Sequence, residues 1–267
     1  MRSWRLFAVV FFDSFPYDTD DRNYPDLIQG IESNERFLRL SELYSLTPIM
    51  NMVSYQTFME LSKNYHELED LFMGFVKAMV NALEAKSPWT RGHSERVAAF
   101  AQEIACELNL SERQRKAVTI ASLLHDIGKI ATYGGILEKE SSLSDDEYDS
   151  VKMHSVQGAD ILRGIKHFED VVLMIRHHHE RMDGTGYPDG LKGDQIPMGA
   201  RIVYVADAFD AMTEARPYRS AIGIEEALSE LRKYAGTQFD PLVVDAWSRV
   251  LKIQKSWLSD FKRTSTG

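Results

Sequence analysis

Seven side chains in this sequence pair metal-binding chemistry with inward-facing positions: His93, His125, His154, His178, His179, Asp126 and Asp207. His93 opens the helical stripe Val97, Phe100, Ala101, Ile104 and Leu108, and His154 shares a row with Val151, Gly158, Ile161 and Ile165. His178 and His179 continue Val171, Val172 and Ile175; His125 continues Ala121, and Asp207 lies four residues after Val203. One inward histidine is ordinarily a core residue bonded to a backbone carbonyl. Burying five with two carboxylates unpaired would cost several kcal/mol each. A metal ion removes that cost by turning imidazole and carboxylate into ligands. Nitrogen and oxygen donors without thiolate suit iron, manganese or zinc. The neighbours His125-Asp126 and His178-His179 would point about 100° apart on a straight helix, so they serve two nearby ions, or one ion near a helix end.

Other chemistries lack their residues. There is no Gly-x-Ser-x-Gly elbow and no His-Glu-x-x-His helix. Paired-carboxylate glycoside chemistry would leave the histidines unexplained. His66 and His167 fall outside the pattern as solvated or structural residues, His177 reads as outward or supporting, and Cys106 beside Ile104 and Ala105 as a small core residue.

The elements that must position these groups are helices. From about Tyr65, the residues Leu68, Leu71, Phe72, Phe75, Val76, Met79, Val80 and Leu83 recur at three- and four-residue spacing. That pattern fits a lead-in helix able to pair with a second copy, or a core helix of the following domain. Ser111-Glu112-Arg113-Gln114 and Ser144-Asp145-Asp146-Glu147 match the capping box. Further helices are expected near 170–180, 200–213, 224–234 and 241–253, with no βαβ rhythm. The Gly- and Pro-rich run Asp183 to Pro197 is too long for a connector, and Tyr187, Leu191 and Ile196 give it packing anchors. The class is mainly all-α over 65–260, after a small N-terminal regulatory or packing domain, 1–64, whose strand candidate Leu6 to Phe12 allows an α/β type. Tyr17 to Pro25 is a polar turn region in it.

The 267 residues carry 31 basic against 40 acidic side chains, a formal charge of −9 that disfavours nucleic-acid polymers and anionic membranes as partners. A single cysteine excludes a disulfide framework and fits the cytoplasm. No apolar run approaches the roughly 20 residues of a membrane span.

Read together, the motifs resemble the HD-GYP family, a branch of the HD-domain metal phosphohydrolases. The matches run from His93-Ser94-x-Arg96-Val97 and His125-Asp126-Ile127-Gly128-Lys129 through His154 with Gly158. They continue with His178-His179-Glu180-x-x-Asp183-Gly184-x-Gly186-Tyr187-Pro188, Ala200-Arg201-Ile202 and Asp207-Ala208-Phe209-Asp210-Ala211. Arg216-Pro217-Tyr218-Arg219 and Gly236-Thr237-Gln238-Phe239-Asp240-Pro241 complete the set. The resemblance implies a helical bundle with two divalent ions, commonly iron or manganese, that hydrolyses cyclic di-GMP to pGpG and on to GMP. It implies one ion on His93, His125, Asp126 and Asp207, and another on His154, His178 and His179, with Asp126 bridging. Asp126 and Lys129 would serve catalysis; Lys129, Tyr187, Asp210, Arg216 and Arg219 would meet substrate.

Each of these has a plainer reading: Lys129 as a solvated helix-end lysine, Tyr187 as a packing anchor, and the arginines as a solvated face. The Gly-Tyr-Pro loop could instead contact diguanylate cyclase domains, and the helix near 66–85 could join a homodimer. Some family members hold a third ion through a Glu four residues before the first histidine; Trp89 stands there, which implies two ions. The rival functions are a catalytically silent cyclic-dinucleotide receptor and a phosphodiesterase for cyclic GMP-AMP.

Overall fold

The computed structural model describes residues 47–85, 91–131, 144–215 and 220–253. The strand candidate Leu6 to Phe12, the turn Tyr17 to Pro25, Trp89, Arg216 and Arg219 lie outside them. The chain divides into two compact units, Met1–Asp70 and Leu71–Gly267. The described residues contain no strand, and their helices are α1 (Thr47–Glu84), α2 (His93–Glu107), α3 (Glu112–Leu124), α4 (Asp145–Lys152), α5 (His154–Leu162), α6 (Glu169–His177), α7 (Met198–Thr213), α8 (Ile224–Lys233) and α9 (Pro241–Ile253). A 3₁₀ turn, Ile127–Ala131, follows α3.

Local sequence explains the boundaries. Ser111 Oγ accepts from Gln114 N at 3.3 Å, and Gln114 Oε1 accepts from Ser111 N at 2.9 Å. Ser144 and Glu147 repeat the exchange at 3.3 and 2.8 Å. Both predicted capping boxes form. Asp240 caps α9 by accepting from Leu242 N at 2.8 Å, and Pro241 follows it at the first helical position.

In the second unit, α2 packs on α3, α7 and α9. Phe100, Phe209 and Trp247 are buried where α2, α7 and α9 meet, their ring centroids 5.0 to 5.5 Å apart.

Three expectations need correction. Helix α1 begins at Thr47, well before Tyr65, because its first half has no continuous apolar stripe to announce it; Tyr55, Met59 and Leu61 are exposed. Of the apolar stripe, only Val76 and Val80 are fully buried, while Leu68, Leu71 and Phe75 are exposed. Cys106 is exposed, because one residue step turns it about 100° from buried Ala105.

Candidate metal centre

The seven sequence-selected groups converge. Three sets of ligand atoms lie within 4.8 Å of one another: His93, His125 and Asp207; His154, His178 and His179; and, between them, His125, Asp126 and His178. The His125/His178 and His154/His178 ring centroids are each 5.2 Å apart.

One local device orients three of the imidazoles. Helices α3 and α6 stop just before His125 and His178, and His154 stands between the end of α4 at Lys152 and the rest of α5, so each follows a helix end that presents carbonyls. Each histidine donates Nδ1–H to the carbonyl three residues back: His125 to Ser122 at 2.7 Å, His154 to Val151 at 2.6 Å and His178 to Ile175 at 2.7 Å. That bond fixes the tautomer and leaves Nε2 bare toward the centre. The pairs His125-Asp126 and His178-His179 can both face inward because each lies past a helix end.

His93, the first residue of α2, is held by side chains. Its Nδ1 bonds Asp210 Oδ2 at 2.7 Å, and its Nε2 lies 3.3 Å from Asp207 Oδ1. Arg96 grips Asp210 from the far side, Nε to Oδ1 at 2.6 Å and Nη2 to Oδ2 at 3.1 Å, and its Nη1 reaches Arg91 O. Asp210 was expected to meet substrate. Its side chain is 1% exposed, and both of its oxygens are bonded, to His93 and to Arg96.

The Asp126 carboxylate straddles the two halves: Oδ2 is 3.6 Å from His125 Nε2, and Oδ1 is 3.6 Å from His154 Nε2. Lys129 Nζ bonds Oδ2 at 2.6 Å and is 27% exposed. Burial opposes ionisation of Asp126, but Lys129 and the neighbouring imidazoles outweigh it and hold its pKa well below the carboxylate range. Burial likewise opposes, and the hydrogen bond from His93 overcomes, the ionisation cost of Asp207, which also stays charged. Burial lowers His154, His178 and His179, the last to about 3, so these imidazoles are neutral donors. Burial also disfavours the charged form of His93, yet hydrogen bonds to Asp207 and Asp210 push it up to about 9.

The loop after the histidine pair closes over one side. Glu180, 2% exposed, accepts from Asp189 N at 2.7 Å and Gly190 N at 3.0 Å. Gly186 has no room for a Cβ, which would fall 2.6 Å from Glu180 Cα and closer still to Arg181 N. The loop thereby lays half-buried Tyr187 over His179, ring centroids 4.9 Å apart. Tyr204, one turn before Asp207, meets the same imidazole edge-on at 5.8 Å, and Gln238 donates to its hydroxyl at 2.8 Å. Arg176 and His177 tie down Asp189 at 2.7 and 2.9 Å. Sequence reasoning gave no site role to Arg96, Glu180 or Tyr204. Arg96 carried the one available signal, a charged residue three positions after His93 on the stripe face.

The donor set fits divalent ions, with buried imidazole nitrogens and ionised carboxylates and no thiolate; His93 would give up the proton that Asp207 and Asp210 favour on it when it binds an ion.

A model of the HD domain matches residues 77–243. The chain is 35% identical over 234 residues to 3'3'-cGAMP-specific phosphodiesterase 3 of Vibrio cholerae, covering 87% of this chain and 50% of the relative. It is 37% identical over 228 residues to the cyclic di-GMP phosphodiesterase response regulator RpfG of Xanthomonas campestris, covering 84% and 60%. This chain therefore spans half to three-fifths of their length. The fold is similar to a crystal structure of a cyclic GMP-AMP specific phosphodiesterase of Vibrio cholerae, with TM-score 0.57 at 22% identity over 72% of this chain and 52% of that one. Among the described residues, no helix is long and apolar enough to cross a membrane.

Proposed function

The chain belongs to the HD-domain family, in its HD-GYP branch, and from that premise we propose that it is a metal-dependent phosphodiesterase that opens cyclic di-GMP to pGpG, with GMP as the product of any second cleavage. The observation that carries the reading is Asp126, whose two oxygens face two separate groups of bare imidazole nitrogens. His93, His125 and Asp207 would hold one ion and His154, His178 and His179 the other, with Asp126 shared, and iron or manganese suits these donors. Two such ions supply Lewis acidity for phosphate oxygens and a water of lowered pKa as nucleophile.

The chain's own residues do the rest. Lys129 is the cation nearest the centre among the described residues; once Asp126 is neutralised, its ammonium is free for a non-bridging phosphate oxygen. Tyr187, turned onto His179 instead of outward, supports a substrate-side role over contact with a cyclase partner. Arg216 and Arg219 complete the proposed phosphate or base contacts. The exposed Leu68, Leu71 and Phe75 of α1 support the homodimer, and the single cysteine supports a cytoplasmic setting.

Cyclic GMP-AMP is the second substrate reading, favoured by the name of the 35% identical Vibrio relative. The test is turnover of both cyclic dinucleotides by anaerobically purified protein with metals quantified. Release of pGpG or GMP supports the main reading, and selective loss of cyclic GMP-AMP supports the second. Tight binding at full metal content without product would leave a receptor.

A further inference from the structure

Helix α2 begins at the metal-centre residue His93, and its N-cap is Gly92, which has no side chain to satisfy the first free amides. The cap comes from elsewhere. Glu84, the last residue of α1, is 7% exposed and sends Oε2 to Gly92 N at 2.6 Å and Oε1 to Ser94 N at 3.0 Å. One carboxylate thus clasps the amides on both sides of His93. An anion here is also favoured by the helix dipole.

We propose that Glu84 is a positioning residue for His93, so that the end of the long helix α1 sets the geometry of one half of the metal centre. The inference rests on the two-ion reading above. His93 leans on three side chains, Asp210 against its ring and Arg96 and Glu84 behind, whereas His125, His154 and His178 lean on backbone carbonyls of the helices they end. Removing the clasp frees the first turn of α2 to rotate. That displaces His93 Nε2 from Asp207 and leaves His154, His178 and His179 in place.

The test uses the full chain titrated with Co²⁺ and followed by its visible absorption, beside helical circular dichroism and thermal unfolding. Two binding steps in the parent chain establish the premise; fewer than two would sink the two-ion reading itself, independently of Glu84. Glu84→Ala is expected to weaken one step by about tenfold, as loss of an outer contact to a ligand does, and to leave the other within about twofold. Glu84→Gln keeps one acceptor oxygen and should fall between. In a His179→Ala background Glu84→Ala should weaken the remaining step, and in a His93→Ala background it should have no further effect. Equal weakening of both steps, or a lowered melting temperature with unchanged Co²⁺ binding, would make Glu84 a purely structural cap and overturn the proposal.

Discussion

Gly128→Ala tests the close approach that sets Asp126 against His154. Gly128 lies two residues after Asp126 in the 3₁₀ turn, face-on to the start of α5. A Cβ there would fall 2.6 Å from Gly158 N and 2.8 Å from the His154 carbonyl carbon, and closer still to the carbonyl oxygen. All three are backbone atoms, so no rotamer change relieves the clash. The turn and α5 must separate by on the order of an ångström or more before contact is ordinary. Overpacking of this kind costs about 3 kcal/mol, and the entropy gained by replacing glycine returns at most about 1. The net loss is about 2 kcal/mol. For a unit of this size that lowers the melting temperature by about 4–8 °C. The same displacement stretches the 3.6 Å spacing between Asp126 Oδ1 and His154 Nε2, so Mn²⁺ affinity should fall as well. Gly164→Ala is the control, since its Cβ meets nothing within 4 Å and should change stability by less than about 0.5 kcal/mol. Thermal unfolding by circular dichroism and Mn²⁺ titration read both effects. A Gly128→Ala variant that melts with the parent and binds metal equally would refute the packing argument.

Asp126→Ala should lose both ions and activity together while keeping its helical signal, and retention of two metals per chain by elemental analysis would contradict a shared ligand. Arg96→Met strands the buried Asp210 carboxylate and should cost about 3–5 kcal/mol in denaturant unfolding; a loss below about 1 kcal/mol would show that His93 alone satisfies it. For Asp189, the hydrogen bond from Arg176 holds the pKa down to about 2, against an unfolded value of about 3.9. A lowered carboxylate pKa stabilises above the unfolded value and is lost as pH falls through the folded one. The melting-temperature gap between parent and Asp189→Asn should therefore shrink between pH 4 and pH 2; a constant gap would mean the ion pair does not anchor the loop.

Much of the centre was legible in the sequence because its histidines sit at the ends of apolar helical runs and Asp207 within one, where periodicity assigns a facing. The capping boxes were equally plain, since both partners lie three residues apart. What stayed hidden depends on contacts between segments. Asp210 falls three residues after Asp207 on the same helix face, and only the packing of α7 against α2 decides that one meets the ring's Nε2 and the other its Nδ1. Glu84 carries no local signal, because the amides it caps lie eight and ten residues on, past the end of its own helix. Periodicity also misjudged α1, where the apolar stripe continues past the residues that the second unit buries.

The two ways of holding a ligand imply different sensitivities. His125 and His178 directly follow helix ends, and His154 stands where α4 gives way to α5, so each finds a backbone carbonyl three residues back. No side-chain substitution removes those carbonyls. His93 at the start of α2 takes its orientation from Asp210, with Arg96 and Glu84 behind it. Substitutions outside the ligands should accordingly fall unevenly, loosening His93 at several positions and His125, His154 and His178 only where backbone is displaced, as at Gly128. The histidine that depends on side chains is also the one whose flanking amides Glu84 clasps at the end of α1.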